Sequence, residues 1–213
     1  MTPRPYHRPA WSTRPAVVVA SGPSLSDEQL AHVEGAHASG KCHVIAVNNT
    51  AERAPWADVA YFGDYMALKH YRPKLERLVR SEWVTQCRAS SQRWKLTHLK
   101  ASAAAGMSLQ RVHLNGNSGA QAINVAACFG AQRILLLGFD MKDAADGRAH
   151  WFGQHPKPLV QRQLYVEWIY KFEAIAKDAA ALGLDIVNCT PDSVLAVFPV
   201  APISEALPWS PAS

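Results

Sequence analysis

The sequence predicts an α/β protein: one domain built on a doubly wound, mostly parallel sheet of Rossmann type, with helices on both faces. Three observations predict it. Short runs of Val, Ile, Leu and Ala recur along the chain, as in 16–20 (AVVVA), 42–47 (CHVIAV) and 133–137 (RILLL), with the composition of strands buried on both sides. Helical stretches alternate with these runs. Several runs end in Gly or small polar residues, at the edge where open parallel sheets hold their ligands.

Taken in order, 1–15 carries four Pro and three Arg and reads as a flexible, basic, Pro-rich arm. The domain proper is expected over 16–207, with 208–213 as a tail. Strand 16–20 runs into Ser21-Gly22-Pro23-Ser24, a turn, and Ser26 with Gln29 forms the capping box of a helix over 26–39. Gly40 closes that helix. Strand 42–47 ends in Asn48-Asn49-Thr50, and strand 57–62 in Gly63-Asp64. A helix over 65–79 and a strand over 82–87 follow. Segment 88–113 has no clean period and reads as strand fragments and loops. Asn117-Ser118-Gly119 opens a strongly apolar, buried helix, with Ser118 and Gln121 as a second capping box, and Gly130 stops it. Strand 133–137, the most hydrophobic, ends in Gly138-Phe139-Asp140. A polar segment, 141–158, leads to a long helix over 159–182, with apolar residues at helical spacing and Gly183 as cap. The last strand is 185–189, and a short helix is expected near 203–207.

The bulk numbers suit this reading. The 213 residues are 48% hydrophobic and 18% charged, values of a globular chain with a substantial core. The net charge of +5 suits anionic ligands such as nucleotides; as support for nucleic-acid binding it is weak. Cys42, Cys87, Cys128 and Cys189 form no CxxC pair, and most read as buried free thiols, so no structural zinc of the CxxC type is expected and a reducing setting is. No signal peptide and no membrane span are read, so the expected location is cytoplasmic, a host's cytoplasm if the gene is a phage's. The oligomeric state is not legible.

Four corners carry the chemistry: Ser21 to Ser24, Asn48 to Thr50, Asn117 to Gly119 and Gly138 to Asp140. In a parallel sheet all strand ends lie on one edge, so the four are expected to converge on one cleft. Backbone donors and a helix N-terminus there favour a negative group such as a phosphate. Each residue also has a plainer reading. Asp140 and Asp64 serve equally as loop and helix caps, His155 as a loop residue packed on Trp151, and the Arg/Lys run of 88–100 as a solvated face.

The combination of Ser21-Gly22-Pro23-Ser24-Leu25, Asn48-Asn49, and Ser118-Gly119 followed by Ala126, Gly130, Ile134, Leu136, Gly138 and Asp140 resembles bacterial sialyltransferases of glycosyltransferase family 42. It is similar also to related phage-encoded proteins and to 6-hydroxymethylpterin diphosphokinase-like domains. The phage-type relatives share a segment like His150-Trp151-Phe152-Gly153-Gln154-His155-Pro156. The resemblance implies a sialyltransferase-like fold. It implies nucleotide contacts from Gly22, Pro23, Ser24, Asn48, Asn49, Ser118 and Gly119, and a general base beyond the G-x-D strand, at His155 or His150. Together with the edge residues Ser21, Asp64, Asn117 and Asp140, these make the candidate site. The chain departs from the sialyltransferases after its G-x-D strand. Phe139-Asp140-Met141 stands near where they carry Tyr residues that assist the departing phosphate, with no Tyr until Tyr165, and the segment before the His is short.

The expected function is transfer from a nucleotide-activated donor, a nucleotide sugar, to the hydroxyl of a small-molecule or glycan acceptor. No metal site and no required cofactor are expected. Mg²⁺ enters only under the alternative of a diphosphokinase acting on a pterin-like alcohol. A further alternative is a non-enzymatic nucleotide-binding or phage-associated module.

Overall fold

In the computed structural model the described residues are 10–157, 159 and 164–210. They form the expected α/β architecture. The strands are β1 (Ala16–Val19), β2 (His43–Val47), β3 (Val59–Tyr61), β4 (Glu82–Thr85), β5 (Thr97–His98), β6 (Ala101–Ser102), β7 (Val112–His113), β8 (Arg133–Leu137) and β9 (Asp185–Asn188). The helices are α1 (Asp27–Ala38), α2 (Tyr65–Leu75), α3 (Arg88–Trp94), α4 (Ser118–Cys128), α5 (Tyr165–Ala181) and α6 (Ile203–Ala206). Seven strands make one sheet, ordered β5-β4-β3-β2-β1-β8-β9, with every pairing parallel. β6 and β7 form a separate parallel pair.

The apolar strands are what a sheet covered on both faces requires. In β1, Ala16 and Val18 pack with α4 and α5 through Ile123, Phe172 and Ile175. Val17 and Val19 pack on the other face with Leu30 and Val33 of α1 and Leu68 of α2. All four residues of β1 are fully buried. The chain leaves β1 for α1 and β2, and later returns to β1's other side with β8. The order therefore reverses between β1 and β8, and the carboxyl edge there is the place where such sheets hold ligands.

Several local expectations are corrected. Residues 88–94, read within a segment of strand fragments and loops, form α3, which ends at Lys95 in the left-handed region (φ 57°). The long helix begins at Tyr165; of the start expected at 159, residues 160–163 lie outside the described residues. α2 stops at Leu75, two residues beyond Pro73. The arm expected over 1–15 is anchored at Trp11, whose indole is buried, stacks on His43 (4.5 Å between centroids) and meets Phe129 edge-on. The Trp11 backbone N–H donates to Phe129 O at 3.0 Å. The first nine residues and 211–213 lie outside the described residues. In the tail, Trp209 Nε1 donates to Ser39 Oγ. Among the described residues no helix is long and apolar enough to cross a membrane. Cys42, Cys128 and Cys189 are buried and Cys87 half-buried, and burial pushes the Cys42 thiol up to about 12.

Candidate functional site

A cleft opens at the carboxyl edge of the sheet over the β1–β8 reversal. Its walls hold Ser21, Gly22 and Pro23 after β1, Asn48 after β2, Asp64 before α2, Asn117, Ser118 and Gly119 at the start of α4, Asp140 after β8, and His150 and His155. Ser24 and Asn49 are not in its wall. Ser24 is held by Asp140, and Asn49 is buried in the 3-10 turn Asn48–Glu52.

The turn after β1 is locked against the end of β8. Gly22 N–H donates to Gly138 O at 2.9 Å, and Ser24 N–H to Asp140 Oδ1 at 3.0 Å. Pro23 has no N–H. The Gly22 and Ser24 N–H donors of this turn, expected to cradle a phosphate, are therefore spent inside the protein. A Cβ on Gly22 would stand 1.8 Å from Asp140 Oδ2, so this glycine is required by close approach. Gly138 has φ 71°, and a Cβ there would lie 2.6 Å from Ala20 O.

Free donors belong to α4. The N-cap is Asn117, whose Oδ1 accepts from Ala120 N–H at 3.0 Å; this corrects the Ser118–Gln121 capping box. Gln121 instead turns inward. Its Oε1 accepts from Tyr61 O–H at 2.8 Å, and its Nε2 donates to Leu114 O at 2.6 Å. Ser118 and Gly119, in the first turn, have no intrahelical acceptors for their N–H groups. They line the cleft at the positive end of an 11-residue helix. Asp64 caps α2 by accepting from Ala67 N–H at 2.8 Å, the plainer of its two expected roles.

The other side of the cleft is aromatic and imidazole-rich. His150 Nδ1 lies 3.0 Å from Ser21 Oγ, and Trp151 N–H donates to Ser21 O at 3.0 Å, so the 150–155 segment is pinned to the end of β1. The His150 ring stacks on Phe152 and meets His155 edge-on at 4.6 Å. His155 Nδ1 lies 2.8 Å from Tyr71 Oη of α2. Burial, with the His155 charge next, pushes His150 down to about 4, and burial also lowers His155, so both rings are neutral at pH 7. Burial raises Asp140 in spite of its bond from Ser24.

Three buried polar atoms of residues in the cleft wall find no hydrogen-bond partner among the described residues: Asp140 Oδ2, Asn48 Oδ1 and His150 Nε2. Buried groups of this kind are ordinarily paired. The carboxylate and amide oxygens are acceptors. The deep corner thus suits a ligand offering hydroxyl or amino hydrogens, while the α4 terminus suits an anion.

Neither a protein-family model nor a curated protein sequence matches this chain. The fold does have a solved counterpart. It is similar to the MAf glycosyltransferase from Magnetospirillum magneticum AMB-1, with a TM-score of 0.56 over 92% of this chain and 34% of that one. At 11% identity the likeness is one of fold. The chain spans about a third of that structure's length.

Sequence reasoning missed Lys142, Tyr165 and Trp168, which also line the cleft, and Tyr71 behind His155. Tyr165 Oη donates to Asp143 Oδ1 at 2.6 Å, and burial with that carboxylate raises the phenol. The first tyrosine after the G-x-D strand thus stands in the cleft, brought there by the start of α5. Among the described residues no group of three His, Cys, Asp or Glu is placed to hold a metal.

Proposed function

We propose that this chain is a nucleotide-donor transferase of the glycosyltransferase kind, moving a sugar to a hydroxyl acceptor. One observation carries the reading: the N-terminus of α4, an acceptor-rich floor at Asp140 and Asn48, and two neutral imidazoles face one cleft at the sheet's reversal point. The diphosphate or phosphate of the donor lies at Ser118 and Gly119 with the Lys142 ammonium beside it, and hydroxyls of the donor fill the floor. His155, the less depressed base and the one oriented by Tyr71, takes the acceptor proton as the acceptor oxygen attacks the sugar carbon and the phosphate departs. Tyr165 assists that departure. The sialyltransferase-like resemblance of the motifs and the glycosyltransferase fold neighbour both support this reading.

The test is a thermal-shift series with CMP, UDP, GDP, ATP and their sugar conjugates. A shift by cytidine nucleotides alone favours a sialyltransferase-like donor. No shift by any nucleotide at millimolar concentration overturns the reading.

A second reading, a diphosphokinase on a pterin-like alcohol, rests on the unpartnered Asp140 Oδ2, in a cleft that Asp64 also lines. In that reaction Asp140 would hold a Mg²⁺ ion, which would neutralise the phosphate charge. An ATP shift that requires Mg²⁺ selects it.

A further inference from the structure

The positive charge of this chain is concentrated in one region. Residues 65–100 hold nine Lys and Arg against two Glu, a net +7 in a chain of net +5, which leaves the remainder at −2. This region is α2, β4, α3 and β5, at one end of the seven-stranded sheet. It borders the cleft, because Asp64 and Ala67 are in the wall and Tyr71 holds His155.

The cations there are arranged. Trp94, the last residue of α3, lies against the Tyr65 ring of α2 at 5.2 Å and 29°. The guanidinium groups of Arg72 and Arg93 stand over the same indole at 5.7 and 5.6 Å. Lys69 is exposed, one turn from Tyr65 and on the Arg72 side of α2. Arg72 shares its charge with Glu76, whereas Arg93 has no carboxylate within ion-pair distance among the described residues. Cation–π contact holds both guanidiniums in place; the N–H fork of Arg93 stays open to an anion, and Arg72 keeps the donors that Glu76 does not take.

We propose that this α2–α3 edge is the acceptor platform of the enzyme, and that the acceptor is an acidic saccharide whose carboxylates meet Arg93, Arg72 and Lys69. The proposal rests on the transferase reading for its direction: a sugar chain lying along the edge runs its end into the cleft beside His155. A nucleic acid fits the edge less well. Sequence-tolerant binding of single strands uses open aromatic faces for base stacking, and the Trp94 ring already meets Tyr65, Arg72 and Arg93.

The experiment measures binding of the full chain to a fluorescently labelled oligogalacturonate, a neutral maltooligosaccharide of equal length and a single-stranded DNA oligomer. The oligogalacturonate is expected to bind and the neutral chain not to. Its affinity is expected to weaken as salt rises from about 0.05 to about 0.3 M, and by ~10-fold or more in the Lys69→Glu/Arg93→Glu variant. Both positions are exposed, so the melting temperature of the variant checks that it folds as the parent does. Oligogalacturonate binding no better than the neutral chain, binding unchanged in the variant, or tighter binding of the DNA would each overturn the proposal. Nucleotide melts of parent and variant are run beside it. A lost nucleotide response with retained oligogalacturonate binding sinks the donor reading alone, and the reverse result sinks the platform alone.

Discussion

The carboxylate of Asp140 fills the space that a side chain at position 22 would occupy. A Cβ on Gly22 would lie 1.8 Å from Asp140 Oδ2, while Gly22 O accepts from Leu25 N–H within the turn and Gly22 N–H donates to Gly138 O. Gly22→Ala is therefore expected to destabilise by roughly 1–3 kcal/mol through overpacking, read as a lowered urea midpoint. Adding Asp140→Gly restores part of the loss, with a coupling of roughly 0.5–3 kcal/mol for residues in contact. Recovery stays partial because Gly138 O, 2.5 Å from the same Cβ, is backbone and remains. Simple additivity of the two changes would refute the contact.

The start of α4 separates two capping assignments. Asn117→Ala is expected to cost about 1 kcal/mol by removing the acceptor for Ala120 N–H. Ser118→Ala, which removes no cap, is expected to stay within ~0.5 kcal/mol. Chemical denaturation of the two variants distinguishes them, and a reversed order would reinstate Ser118 as the cap.

This pair also shows what was readable beforehand and why. Polarity at the four corners, the buried strands and the glycine stops are local properties, and they placed the cleft. Which of two adjacent polar residues caps a helix depends on where Gln121 goes, and Gln121 is drawn inward by Tyr61, sixty residues away. In the same way the N–H groups of Gly22 and Ser24 look free in sequence, and are consumed by Gly138 and Asp140 only once β8 lies beside β1. Segment 88–94 (RASSQRW) has no apolar period, so α3 was invisible; Trp94 packing on Tyr65 supplies what the pattern lacks. Trp11 was hidden by its Pro-rich surroundings, and Tyr71 and Tyr165 reach the site through tertiary packing alone.

Acid is expected to weaken the protein through its imidazoles. His150 falls from the ordinary 6.5 to about 4 in the folded state. Between these values the unfolded chain binds the proton and the native one does not. The native advantage is whole above pH 6.5, shrinks as pH falls, and is exhausted below about 4. The loss amounts to about 3 kcal/mol for this one group, with His155 and His43 adding in the same sense. Asp140, raised by burial, works oppositely just above its ordinary value of 3.8. His150→Asn keeps a partner for Ser21 but does not titrate. Thermal melts across pH 4–7 are expected to show a shallower slope for it, and an unchanged slope would remove His150 as the cause.

In the transferase reading, His155→Ala is expected to lower turnover by roughly 10²–10⁴-fold while the nucleotide thermal shift persists. Tyr71→Phe removes only the hydroxyl oxygen that holds the ring through Nδ1. It is expected to reduce kcat by roughly 2- to 10-fold, with KM unchanged and the acid limb of the pH–rate profile displaced. A rise in KM alone would make Tyr71 a wall residue rather than a positioning one.

Trp11→Ala is expected to cost about 3–5 kcal/mol, the range for large aromatic truncations in a core. A small effect in the urea midpoint would mean that the indole packs on the surface of the domain without supporting it.

β1 sits between β2, which follows it closely in the chain, and β8, which comes more than a hundred residues later. While a ribosome is still making the protein, the first five strands can assemble, yet one flank of β1 has bare amide and carbonyl groups until Arg133–Leu137 emerges. The nascent half-protein is therefore an adhesive intermediate, and truncations before residue 137 are expected to be recovered in inclusion bodies or on chaperones.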